Sequence, residues 1–107
     1  MKSYLLVETR DPHEMRDVDW TCDVARALSR KAQVALLLTE NGVFGARQGC
    51  GENLVRKLNG QGVAVFADRY ALAERGIDAR DLSDGVSVVD IDYLADALIS
   101  GVCTAWR

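Results

Sequence analysis

Short unbroken apolar runs alternate along the chain with stretches in which apolar residues recur every three or four positions. Tyr4-Leu5-Leu6-Val7, Val34-Ala35-Leu36-Leu37-Leu38 and Val63-Ala64-Val65-Phe66-Ala67 are of the first kind. Runs of this length, bounded by polar residues or glycine, predict strands buried on both faces, as in a parallel sheet. Val86-Ser87-Val88-Val89 predicts a fourth, shorter strand, and Cys103-Thr104-Ala105-Trp106 a fifth.

The stretches between them predict helices. Trp20, Val24, Ala27 and Leu28 fall at i, i+4, i+7 and i+8, one amphipathic stripe with Asp17 or Asp19 placed to cap its start. Cys22 lies roughly half a turn around from that stripe, with Val18, Ala25 and Ser29, on a side that suits either a partner or a second buried face. Leu54, Val55 and Leu58 mark a second helix ending near Asn59-Gly60, and a third spans residues 68–75. Gly76 suits the left-handed position after that helix, with Ile77 as the apolar contact that follows. In the fourth, Asp90 is the cap and Ile91, Leu94, Ala95, Leu98 and Ile99 form one inward face.

The order β-α-β-α-β-α-β-α-β with right-handed crossovers predicts an α/β fold, a three-layer sandwich around a five-stranded, mostly parallel sheet. The expected strand order is the flavodoxin-like 2-1-3-4-5, with ligands at the carboxyl ends of the strands, after Val7, Leu38, Phe66 and Val89. The 107 residues fit one domain, 1–107.

Composition narrows the function. No apolar run approaches the ~20 residues that span a bilayer, and the N-terminal run is too short for a secretory signal, so a cytoplasmic location is expected. Thirteen Lys and Arg against 16 Asp and Glu give a net charge of −3 with no basic block, so direct nucleic-acid binding is not expected. The three cysteines, Cys22, Cys50 and Cys103, are widely spaced, and His13 is the one histidine. That set does not assemble a zinc site, and an odd count argues for thiols rather than a disulfide framework.

The loop after the first strand, residues 8–14, lacks the glycines of a dinucleotide fingerprint or a P-loop, so no cofactor is expected. The loop after the second strand, residues 40–52, holds four of the nine glycines. In it Cys50 stands between Gly49 and Gly51 just before a helix, where unpaired N–H groups and the helix dipole favour a thiolate, with Arg47 nearby. The alternative is a turn in which the thiol is incidental. Cys103 reads as core, Asp92 and Asp96 as a solvated helix face, and the lone histidine offers no catalytic triad.

Four segments resemble the DsrE/DsrF/DsrH superfamily of small sulfur-relay proteins, most of all its DsrH/TusB branch. They are Leu37-Leu38-Thr39-Glu40-Asn41-Gly42-Val43-Phe44-Gly45-Ala46, the stretch from Phe66 to Ile77, Gly85-Val86-Ser87-Val88-Val89-Asp90-Ile91-Asp92-Tyr93, and the ending Thr104-Ala105-Trp106. The resemblance implies a flavodoxin-like subunit that assembles with DsrE-like and DsrF-like partners, or with itself. The assembly takes persulfide sulfur from an upstream donor protein and serves tRNA 2-thiouridine formation or sulfur oxidation. The DsrE-type nucleophile follows the third strand; here that stretch is Phe66-Ala67-Asp68-Arg69, without a cysteine. Some DsrH-type members carry a cysteine in the first helix, which Cys22 matches in element, though the spacing to the following loop is longer. Others lack it, which implies a structural subunit.

Cys22 and Cys50 are therefore the candidate persulfide acceptors. The expected order of thiol labelling is Cys50, then Cys22, then Cys103. Trp106 is expected to bury its ring at the end of the sheet, making residues 104–107 structural. A small ligand-binding α/β protein using the Gly-rich loop is the remaining alternative.

Overall fold

The computed structural model describes residues 3–12, 17–49 and 54–106. Among them five strands form one all-parallel sheet: β1 (Ser3–Glu8), β2 (Gln33–Leu38), β3 (Ala64–Asp68), β4 (Val86–Val89) and β5 (Cys103–Trp106). Helices α1 (Asp17–Ser29), α2 (Leu54–Gly60), α3 (Arg69–Glu74) and α4 (Ile91–Ile99) connect them, with 3₁₀ segments at Glu40–Ala46 and Ala79–Asp81. The α/β class, the five strands and the four helices are those the apolar pattern predicts.

The strand order is β4-β3-β2-β1-β5, not 2-1-3-4-5. Each of the first three crossovers steps to the next neighbour in the same direction, and only the last returns, carrying β5 to the far side of β1. This puts β2 in the middle, where Val34, Leu36, Leu37 and Leu38 are all buried. The flavodoxin order would have left that longest apolar run at an edge, half in water.

Crossovers of one hand place α1, α2 and α3 on one face and α4 on the other. The two cores follow the pleat. Leu6, Val34, Leu36, Leu38, Val65 and Ala67 meet the three-helix layer through Ala25, Val55, Leu58 and Leu72. Leu5, Val7 and Leu37 meet Leu94 on the other face, with Phe66, Tyr93, Ala97 and Val102 packed around them.

Two helices sit in a different phase from the one their apolar stripes predict. In α1 the inward residues are Thr21, Cys22 and Ala25, while Trp20 is 54% exposed. The Thr21 hydroxyl donates to Glu8 Oε1 at 2.9 Å, and this bond turns the smaller side of the helix to the sheet. Cys22 thus lies on a buried face, not on one offered to a partner. In α4 only Leu94 of the predicted stripe is buried. Tyr93 lies against Phe66 with ring centroids 4.5 Å apart, which rotates Ile91, Leu98 and Ile99 outward. Burial pushes the Tyr93 phenol above its ordinary pKa.

The end of the sheet also differs from expectation. β5 is an edge strand in the expected order too, but it pairs with β1 rather than β4, and Trp106 is 58% exposed and Cys103 exposed rather than core.

Candidate functional site

The chain turns to opposite faces of the sheet after two neighbouring strands, β3 leading to α3 and β4 to α4. In a parallel sheet this divergence opens a crevice at the carboxyl ends, where ligands bind. Here the crevice is a hollow of about 250 Å³ lined by Leu37, Thr39, Asp68, Tyr70, Asp90 and Trp106, among others.

Its polar groups are arranged by the strand ends. Asp68 caps α3: one carboxylate oxygen accepts the Tyr70 N–H at 3.1 Å and the other accepts the Thr39 hydroxyl at 2.8 Å. That second bond ties the end of β2 to the end of β3. Asp90 precedes α4 but makes no side-chain cap; its carboxylate takes Arg69 Nε at 2.8 Å, across the β3–β4 divide. Glu40 also lines the hollow and holds a left-handed backbone, φ 49°, the one non-glycine residue to do so among those described.

The neighbouring β1 end is held by a carboxylate that sequence reasoning did not single out. Glu8 has no solvent exposure. It accepts the backbone N–H groups of Thr9 and Arg10, the Thr21 hydroxyl, and Arg10 Nε and Nη2 at 3.0 and 3.1 Å. Its carbonyl accepts the Thr39 N–H at 3.1 Å, and Gly42 packs directly on that carbonyl. The available signal was a charged residue closing an apolar strand, followed at once by Thr9 and Arg10. The first part of the Gly-rich loop, Glu40–Ala46, is accordingly packed against the strand ends. Gly42, Val43, Gly45 and Ala46 are buried, and Arg47 lies over the Phe44 ring, 4.9 Å from its centroid.

Among the described residues, neither Cys22 nor Cys103 lines the crevice. Cys22 is 6% exposed inside the three-helix core. Cys103 lies exposed on the edge strand. Cys50 and His13 fall outside the described residues. Among the described residues, no group of three or more His, Cys, Asp or Glu side chains is placed to hold a metal ion, and no helix is long and apolar enough to cross a membrane.

The burial values reorder the expected thiol reactivity. A maleimide under native conditions should label Cys103 well before Cys22, as read by timed quenching and peptide mass spectrometry, because access limits the buried thiol. Equal rates at the two sites would show that α1 opens readily.

No protein-family model matches the chain, and neither does any curated protein. Solved structures do match. The ychN protein of E. coli superposes with a TM-score of 0.88 at 21% identity, covering 100% of both chains. MTH1491 of Methanobacterium thermoautotrophicum, a protein of unknown function, gives 0.83 at 21% identity, covering 99% of this chain and 98% of its own. BT1422 of Bacteroides thetaiotaomicron, also of unknown function, gives 0.78 at 13% identity, covering 97% and 94%. The chain shares their fold over its whole length. At these identities the likeness speaks to fold alone.

Proposed function

We propose that this chain is a subunit of a cytoplasmic sulfur-relay assembly of the DsrE/DsrF/DsrH kind, serving tRNA 2-thiouridine formation or sulfur oxidation. The observation that carries the assembly reading is the outer surface of α4 and β5. Ile91, Leu98, Ile99 and Trp106 are 73, 55, 85 and 58% exposed, side chains that a protein acting alone has no reason to leave together in water. The sulfur-relay reading is supported by the resemblance of the four segments. The first three run through the carboxyl ends of β2, β3 and β4 and the fourth stops at that of β5, around the crevice.

In such an assembly an acceptor thiolate attacks the outer sulfur of a donor persulfide. The S–S bond breaks, the donor leaves as a thiolate, and the acceptor becomes the persulfide. Two observations favour a binding role for this subunit over an acceptor role. Asp68 closes β3, in the stretch where the DsrE-type thiol stands, and spends its carboxylate capping α3. Cys22 is enclosed by the core. Cys50 is then the thiol on which an acceptor role would rest.

The test is co-expression with DsrE-like and DsrF-like subunits, followed by light scattering and a persulfide gel-shift assay with a sulfur donor. The expected result is a stable hetero-oligomer whose sulfur transfer is unaltered by Cys22→Ser with Cys50→Ser. Loss of transfer with Cys50→Ser alone would instead make this chain an acceptor. A protein that stays monomeric in every mixture would refute the assembly.

A further inference from the structure

Among the described residues α4 is the one helix across the back of the sheet, and its outer side is a stripe with a particular composition. Ile91, Ala95, Leu98 and Ile99 recur at i, i+4, i+7 and i+8, and all four are exposed. Ala95 sits mid-stripe, where a small side chain lets another backbone come close. Ile91 and Trp106 line the same hollow, so the apolar surface continues from the helix onto the end of β5.

Within α4 and β5 themselves the charges all have one sign. α4 and β5 carry Asp92 and Asp96 and no Lys or Arg. Both aspartates are exposed, and among the described residues neither makes an ion pair. The nearest basic group at the start of the helix, Arg69, is committed to Asp90. Pairing of α4 with α4 of a second copy would therefore collect unpaired carboxylates around one apolar seam with no cation from α4 or β5 of either copy. Like charges so juxtaposed are costly, whereas a rim of opposite sign fixes partner choice and register.

We infer that the α4–β5 face docks a different chain, one presenting an apolar helical surface edged with Lys or Arg. The inference rests on the assembly reading above and adds which face is used, and by what chemistry it selects its partner over a second copy.

Two synthetic amphipathic helices of about five turns test it. They share one Leu stripe and differ only in carrying Lys or Glu along its edges. Amide shifts and titration of the whole protein report where and how tightly each binds. The Lys-edged peptide should perturb α4 and β5 and bind at least about tenfold tighter than the Glu-edged one. Asp92→Lys with Asp96→Lys should invert that preference, and Leu98→Ser with Ile99→Ser should abolish binding of both peptides without changing the melting temperature. Equal affinities, or shifts confined to another surface, would overturn the inference. So would dimerisation of the pure protein that Leu98→Ser/Ile99→Ser abolishes, since that gives the face to a second copy. If the Lys-edged peptide binds as expected but no complex forms with DsrE-like and DsrF-like subunits, the face stands and the sulfur-relay reading falls. If that complex forms and tolerates Leu98→Ser/Ile99→Ser, the relay reading stands and the face falls.

Discussion

Glu8→Ala should lower the melting temperature by about 12 °C, read by far-ultraviolet circular dichroism. The Glu8 carboxylate is fully buried and holds together the β1 end, the following loop and α1 through Thr9, Arg10 and Thr21. Removing one partner of a buried charged pair costs about 3–5 kcal/mol, because the groups left behind stay desolvated and unpaired. Arg10 keeps 21% of its side chain in contact with solvent, which sets the expectation at the lower end, about 3 kcal/mol. At roughly 4 °C per kcal/mol for a domain of this size, the shift follows. Glu8→Gln retains an acceptor for Thr21 but not the charge, and should fall between. A loss under about 1 kcal/mol for Glu8→Ala would mean that the surrounding groups find other partners or water.

Gly42→Ala should be nearly as damaging, for a steric reason. A Cβ at this position would stand 2.2 Å from the Glu8 carbonyl oxygen and 3.0 Å from its carbon. That carbonyl cannot give way cheaply, because it also accepts the Thr39 N–H that joins β1 to the turn after β2. The 3₁₀ segment must therefore lift off the strand ends, at the upper end of the usual overpacking cost, about 3 kcal/mol. Gly60→Ala is the matched control. No atom lies within 4 Å of its would-be Cβ, and its backbone is not in the left-handed region, so the change should be neutral or slightly stabilising. Chemical denaturation of the three proteins decides it. A Gly42→Ala protein as stable as Gly60→Ala would place the segment farther from β1 than described.

The chain announces its elements clearly and its arrangement less so. Gly76 at φ 64° and the Ile77 N–H bonded to the Leu72 carbonyl end α3 as the sequence predicts, because that stop is local chemistry. The helix phases depend on partners far along the chain: Thr21 is drawn inward by Glu8, and Tyr93 by Phe66. No stripe on a single helix encodes either contact. Strand order was misread: the expected order put β2 at an edge, whereas the most continuous apolar run belongs at the centre of a sheet and β2 occupies it. Asp68 and Asp90 were readable as residues preceding helices, but their place in one crevice with Trp106 depends on the topology. The same topology explains why Cys103 and Trp106 lie in the open.

Strand order also shapes how the protein is made. Strands β1 to β4 pair with neighbours in the order of synthesis, so four-fifths of the sheet can assemble as the chain emerges. The outer edge of β1 waits for a partner nearly a full chain length away, Tyr4 pairing with Cys103. Until residues 103–106 leave the ribosome, that edge exposes unpaired N–H and C=O groups along a buried-type strand, an invitation to intermolecular pairing. Nascent chains stalled before this point are thus the form most prone to aggregate, and slow translation of β5 would lengthen the exposure.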